Sequence, residues 1–253
     1  MTEPFAMPRI VRAQDLADDD LVSLYRVPES GRWIRANFVA SVDGAIATDG
    51  TSSGLTNPLD QRVLKLLREL ADVVLVGAST IRAEDYIGIR VSEAGRTRRA
   101  ADGMAPVPPI AVVSGRADID PESRLLTNTL VPPIIFTTTD AASAAKRNLR
   151  SAGATVIELG SGSIETGAIV AELTTLGLQK VVCEGGPTLA GQLAADHVLD
   201  ELCLTTAPTV MGGPAGRVTH SRLAALPVQC RHIIFDTDGA QLARWISNKP
   251  TRR

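Results

Sequence analysis

The sequence predicts an α/β fold of three layers, with a mainly parallel central sheet and an antiparallel hairpin at its C-terminal edge. Three observations carry this. Short apolar runs alternate with helical patterns through most of the chain, the order that builds a parallel sheet covered on both faces. Runs such as Val73-Val74-Leu75-Val76 are continuously apolar, as strands buried on both sides must be. The last two strands flank Asp238-Gly239, a dipeptide suited to the positive φ of a tight hairpin turn.

In chain order, residues 1–31 are polar, with acids at Asp15 and Asp18 to Asp20, and read as an extension lying on the domain. Residues 33–41 read as an apolar-rich strand, turned by Asp43-Gly44 into a Gly/Ser-rich loop. A helix then starts, with Thr56 or Asn57 as its cap and Pro58 at its first position. Val63, Leu64, Leu66, Leu67 and Leu70 follow at helical spacing. Residues 72–77 form a strand, 78–85 a turn and short helix, and the charged stretch 92–108 a surface loop. Strands are expected at 110–113, 134–138, 155–159 and 181–183, with helices over 140–149 and 164–176. The closing strands fall within 199–212, 232–238 and 241–247. Residues 32–247 thus read as one domain, followed by a polar tail over 248–253.

The bulk composition excludes several classes. A net charge of −2 lacks the basic excess that nucleic-acid binding needs, and 3% aromatic residues leave few stacking platforms. The N-terminal residues show no apolar block of a signal peptide, and no run approaches a membrane span, so a cytoplasmic protein is expected. Cys183, Cys203 and Cys230 are odd in number and sit in or beside apolar stretches, as small buried hydrophobes do. No metal-ligand spacing, P-loop or nucleophile elbow occurs. His197 reads as a solvated residue near a helix end. Gly160-Ser161-Gly162 lacks the third glycine of a dinucleotide fingerprint, leaving a plain strand-to-helix turn.

The chain is organised around residues 179–193, where Val181-Val182-Cys183 is broken by Glu184-Gly185-Gly186 before Pro187 opens a helix. Proline suits a first helical position, and the paired glycines let another group approach the backbone. The bare N–H groups at such a helix head suit an anion such as a pyrophosphate. Two more strand ends, 39–44 and 76–85, carry glycine and polar residues, and ligands of open parallel sheets bind beyond such ends. Glu184 stands out because a carboxylate directly after a buried strand is costly without a partner.

These blocks carry a resemblance. Ala40-Ser41-Val42-Asp43-Gly44, the turn from Gly77 through Thr80 and Arg82 to Glu84-Asp85, and Glu184-Gly185-Gly186-Pro187-Thr188-Leu189 match one family. Asp200-Glu201-Leu202, Ala207-Pro208 and Gly212-Gly213 match its next strand and turn. Over residues 33–247 the chain resembles the reductase domain of riboflavin biosynthesis, the C-terminal half of a bifunctional deaminase–reductase with a dihydrofolate reductase-like fold. The resemblance implies an NADPH-dependent reductase acting like 5-amino-6-(5-phosphoribosylamino)uracil reductase, with hydride transfer to the sugar C1 of a ribosylamino-pyrimidine phosphate.

It also implies residue roles. Ala40, Thr80 and Glu84 would lie along NADPH. Gly185, Gly186, Pro187, Thr188 and Leu189 would cradle its pyrophosphate. Ser114 and Arg116, with Arg82, would grip the 2′-phosphate. Ser52, Arg68, Arg90 and Glu184 match substrate positions, and Glu84, Asp85 or Glu184 would deliver the proton. Asp43 is expected to serve the turn. A homodimer is implied, with the strand in 199–212 at its interface or in the core. The family's acidic pair, proline and Leu-Thr-Val-Arg appear here as Glu84-Asp85-Tyr86-Ile87-Gly88-Ile89-Arg90, altered and shorter. The deaminase's zinc signature does not precede Trp33, as in a stand-alone reductase. A dihydrofolate or other pterin reductase on the same fold, and a non-catalytic NADP-binding module, are the alternative readings.

Overall fold

A computed structural model describes residues 7–221 and 225–248; the first six residues and 249–253 of the expected tail lie outside the described residues. The chain runs β1 (Arg9–Arg12), α1 (Asp18–Tyr25), β2 (Trp33–Ser41), α2 (Pro58–Glu69), β3 (Val73–Gly77), α3 (Ala78–Ala83) and α4 (Glu93–Ala101). It continues through β4 (Ile110–Val113), α5 (Arg124–Thr127), β5 (Ile134–Thr137), α6 (Ser143–Ser151), β6 (Thr155–Glu158) and α7 (Thr166–Thr175). It ends with β7 (Lys180–Cys183), α8 (Pro187–Ala195), β8 (Glu201–Ala207), β9 (Val228–Phe235) and β10 (Gln241–Ser247).

The strands form one sheet in the order β1-β9-β10-β8-β2-β7-β3-β4-β5-β6. From β8 through to β6 the pairing is parallel, whereas β10 runs antiparallel to both β8 and β9. The mainly parallel sheet with its antiparallel hairpin is therefore as the sequence predicts. Alternation along the strands divides the core. Val74, Val76 and Val182 pack with α1 and α2 on one face, while Val73, Leu75, Val181 and Cys183 pack with α7 and α8 on the other.

The α2 helix starts as its sequence requires. Asn57 caps it by accepting from the Asp60 N–H at 2.8 Å, Pro58 opens it, and Leu59, Val63, Leu66 and Leu67 bury its inner face.

Two expectations need correction. Residues 92–108 are not simply a surface loop, because they contain α4. That helix has no long apolar stripe; Ser92 caps it, and the fully buried Arg99 donates to the carbonyls of Glu69, Ala71 and Ala105. A helix held by polar contacts gives no hydrophobic period to read.

The extension over 1–31 is also more than a covering segment. Its β1 pairs parallel with β9 and forms the outermost strand, so the C-terminal hairpin lies one strand in from the edge. Its α1 buries Leu21, Val22, Leu24 and Tyr25. The carbonyls at the end of α1 are met by two buried arginines: Arg35 donates to Tyr25 O and Arg244 to Leu24 O. Both arginines also clasp Glu201, which is wholly buried, at 3.1 and 2.8 Å. A polar-looking segment is thus fixed by its buried apolar side chains and by a charge cluster in which Glu201 and Arg244 lie far away in sequence.

Candidate active site

The carboxyl ends of β2, β7 and β3 lie side by side and open on a cavity of about 600 Å³, lined among others by Phe38, Ser52, Thr80, Tyr86 and Glu184. Its floor is glycine. Gly77 N–H donates to Gly185 O at 2.8 Å, and a Cβ on Gly77 would stand 3.2 Å from Gly186 N. A Cβ on Gly186 would stand 3.0 Å from Thr80 Oγ1. The Gly185–Gly186 peptide is cis, and Gly185 has φ +111°, a conformation that side chains resist. Gly186 occupies the N-cap of α8 with no side chain to satisfy the helix's first N–H groups. Three strand ends that read as separate motifs in the sequence therefore meet at one bare helix head.

Above this floor Glu184 is bound on both oxygens. Arg68 Nε donates to Oε1 and Nη2 to Oε2, each at 2.7 Å, and Tyr86 OH donates to Oε2 at 2.9 Å. The Arg68 guanidinium also lies 5.8 Å from the centre of the Tyr86 ring. Burial opposes the charge on Arg68, yet the Glu184 carboxylate overcomes this and holds the guanidinium pKa above its ordinary value. Burial, reinforced by Glu184, pushes the Tyr86 hydroxyl well above the usual phenol range, so it stays a donor. The partner that a carboxylate at this strand end requires is α2, brought across the sheet.

The other expected residues divide. Ser52 N–H donates to Glu84 Oε1 at 2.8 Å, pinning the loop after β2 to the end of α3 at the cavity wall. Asp85 borders the cavity, but its carboxylate is exposed and bridges to Arg124 at 2.7 Å. Arg90 departs from expectation. Its guanidinium is taken by the carbonyls of Gly88, Ile89 and Asn128, outside the cavity lining. The altered segment after Asp85 turns it toward the loop after α5. Asp43 serves the turn as expected: it accepts from Ser41 Oγ, Met211 N and Gly212 N, which lower its pKa to about 2. It thereby ties the end of β2 to the loop after β8.

Beyond β4 the expected phosphate grip is already engaged. Ser114 Oγ donates to Asp118 Oδ1 at 2.6 Å and accepts from Asp118 N–H at 3.2 Å. Arg82 donates to Asp118 O at 2.9 Å, and Arg116, largely exposed, lies 3.4 Å from Asp118 Oδ2. Ala40 is buried in β2, and Thr188 and Leu189 lie in the first turn of α8, Leu189 buried; none of the three lines the cavity. His197 is exposed with φ +54°, and Gly160 and Gly162 form a turn capped by Asp140. The glycine floor and bare helix head fit a dinucleotide pyrophosphate, and the Ser114 region fits a 2′-phosphate only if Asp118 yields.

Four polar residues at the site escape sequence reasoning. Tyr86 lies in the altered segment after Asp85 and carries no sequence signal of its own. Lys65 lines the cavity one helical turn before Arg68, a spacing that could have paired them. Asp60 reads as an ordinary first-turn acid, yet it is buried and accepts from Thr56 and Thr205. Asp118 lies in a turn made by Ala117 at φ +53°, which no sequence pattern announces. Among the described residues no helix is long and apolar enough to cross a membrane.

Comparison with known proteins places this architecture. The Mycobacterium tuberculosis riboflavin biosynthesis protein RibD is 29% identical over 183 residues, covering 72% of this chain and 43% of that protein. The chain thus spans less than half the length of that relative. The 2,5-diamino-6-ribosylamino-4(3H)-pyrimidinone 5′-phosphate reductase of Archaeoglobus fulgidus is 27% identical over 183 residues, covering 72% of this chain and 82% of that protein. A pyrimidine reductase-like protein from Corynebacterium diphtheriae shares the fold, with a TM-score of 0.80 and 21% identity over 87% of this chain and 93% of that one. The profile of the RibD C-terminal domain matches residues 32–242, and the chain belongs to that family.

Proposed function

We propose that the protein is an NADPH-dependent reductase of a ribosylamino-pyrimidine 5′-phosphate, of the kind that acts in riboflavin biosynthesis. The observation that carries this reading is the doubly bound Glu184 standing directly over the Gly185-Gly186 helix head in one cavity. Family membership and the Archaeoglobus relative's substrate support the choice of pyrimidine. When bound, the nicotinamide would supply a hydride for the sugar C1 of the open-chain imine, and the nitrogen left with the electron pair would need a proton.

The chain's own residues bind and orient. The amides at the start of α8, with Gly77 and Thr80 beside them, receive the pyrophosphate. Arg68 and Tyr86 fix Glu184 so that its carboxylate faces the ribose hydroxyls at a set angle. Lys65 at the mouth receives the sugar phosphate. Glu84 is the proton route, because it lines the cavity and accepts one hydrogen bond among the described residues, whereas Asp85 is spent on Arg124. Arg90 has no part in this arrangement.

A second copy of the chain covers the sheet face opposite α1. Leu204, Ala243, Ile233 and Ile10 stand in register across β8, β10, β9 and β1, and none of them is buried. This supports a homodimer, and a metabolic role of this kind accords with a cytoplasmic location.

The test is NADPH oxidation with 2,5-diamino-6-ribosylamino-4(3H)-pyrimidinone 5′-phosphate, with its deaminated uracil counterpart and with dihydrofolate. Turnover of a ribosylamino-pyrimidine phosphate is expected. Turnover of dihydrofolate alone overturns the substrate assignment, and NADPH binding without any turnover overturns the enzymatic one.

A further inference from the structure

The carboxyl ends of β7, β3 and β4 are consecutive in the sheet, so the end of β4 lies two strand spacings, about 10 Å, from the Gly186 helix head. A dinucleotide whose pyrophosphate sat at that head, with its nicotinamide toward Glu184, would run its adenosine half toward β4. The residues waiting there are Ser114, Arg116 and Arg82, a hydroxyl and two cations. In this chain they already share an anion. Asp118 Oδ1 accepts a hydrogen bond from Ser114 Oγ at 2.6 Å, and its Oδ2 lies 3.5 Å from Arg82 Nη1 and 3.4 Å from Arg116 Nη2.

The placement is built into the backbone. Ala117 N–H donates to Ser114 O at 3.1 Å, Ala117 takes φ +53°, and the turn carries Asp118 N–H back onto Ser114 Oγ at 3.2 Å. Ser114 and Ala117 are both buried, so the turn is anchored in the core below. The Ser114 hydroxyl and the two guanidiniums, aided by the turn's own amide, outweigh the desolvation of Asp118 and hold its pKa below the usual carboxylate value.

We propose that Asp118 is the specificity-setting residue for the cofactor's adenosine end, an internal carboxylate standing where a 2′-phosphate must go. This rests on the reading of the site as a dinucleotide reductase. A 2′-phosphate carries close to two negative charges at neutral pH, and to reach Ser114 it must displace Asp118 or lie against it. The two arginines then serve two anions instead of one. A ribose 2′-hydroxyl meets no such opposition, and Asp118 can accept its proton in a hydrogen bond. The chain therefore binds the phosphorylated dinucleotide less tightly than Ser114, Arg82 and Arg116 alone would allow, and its preference for NADPH over NADH is narrow.

The experiment measures Kd by calorimetry for NADPH, NADH, 2′,5′-ADP and 5′-AMP on the wild type, Asp118→Asn and Asp118→Ser. A single charge about 5 Å from a dianion in water-like surroundings is worth about a tenfold change in affinity. NADPH and 2′,5′-ADP should bind about tenfold tighter to both variants, with NADH and 5′-AMP within twofold of wild type or weaker. Asp118→Asn retains an acceptor for Ser114, which separates loss of charge from loss of the turn. Equal shifts for both members of each pair, or none, overturn the assignment of Asp118 while leaving the dinucleotide site standing. A wild type that binds neither NADPH nor NADH overturns the reductase reading, and this inference with it.

Discussion

Arg68 holds Glu184 by two parallel hydrogen bonds of 2.7 Å, one to each carboxylate oxygen, across 116 positions of sequence. Planar matching of guanidinium and carboxylate gives both strength and direction. Only 3% of the Glu184 side chain is exposed, so removing either partner leaves a charge without its counterion in a desolvated place.

Arg68→Met should therefore destabilise the protein by about 2–3 kcal/mol, somewhat below a fully buried pair because the Arg68 side chain keeps 24% of its surface in solvent. Adding Glu184→Gln should restore part of that loss, since an amide needs no counterion. Urea midpoints of the two single variants and the double variant measure it. Strictly additive losses would mean that the two side chains do not act as a pair.

Gly186→Val should abolish dinucleotide binding while leaving the fold in place. Gly186 has φ −76°, which any residue adopts, so the backbone is not strained by a side chain. The new Cβ meets Thr80 Oγ1 at 3.0 Å and the branches stand over the helix head. Calorimetric titration with NADPH, alongside a circular dichroism melt, separates the two effects. Wild-type affinity in a folded variant would count against the glycine floor as the cofactor's seat.

Acid should weaken the protein through His232. Burial, together with repulsion from Arg244, lowers its pKa from 6.5 to about 4, and its Nε2 is buried without a hydrogen-bond partner among the described residues. Between those two values the unfolded chain binds a proton that the folded one refuses, so stability is full above pH 6.5 and falls as pH drops toward 4. The contribution amounts to about 3 kcal/mol. Urea midpoints of the wild type and His232→Gln, compared over this range, should converge as the pH falls. Parallel curves would remove His232 from the effect.

Leu21→Ala should cost about 2–4 kcal/mol, as a filled core position does, because Leu21 is 1% exposed against the sheet. A loss below about 0.5 kcal/mol, the scale of a surface change, would mean that α1 only rests on the domain. Thermal melts followed at several wavelengths measure the difference and test whether the segment unfolds with the rest.

Much of the architecture was legible in the sequence because its signals are local. Continuous apolar runs fix strands buried on both faces, Asn57-Pro58 fixes the start of α2, and Asp238-Gly239 fixes the hairpin. Pro187 after two glycines likewise announces the helix head, and the motif blocks announce the family. Other features depend on partners distant in the chain. The segment before Trp33 reads only as a polar extension because two of its anchors, Glu201 and Arg244, come from strands that only folding brings near. The α4 helix is held by Ser92 and Arg99, which leave no hydrophobic period.

At the site, the residue types at each strand end can be read from the chain alone, since glycine frees the backbone for unusual conformations and a buried carboxylate needs a partner wherever it lies. Which of them share a cavity depends on how the folded chain brings them together. Glu184 takes its charge partner from α2, Arg90 is drawn off to Asn128, and Asp118 claims Ser114 by way of a left-handed turn at Ala117. Hydrogen bonds and charge pairs act over a few ångströms of space, and separation along the chain carries no record of that distance.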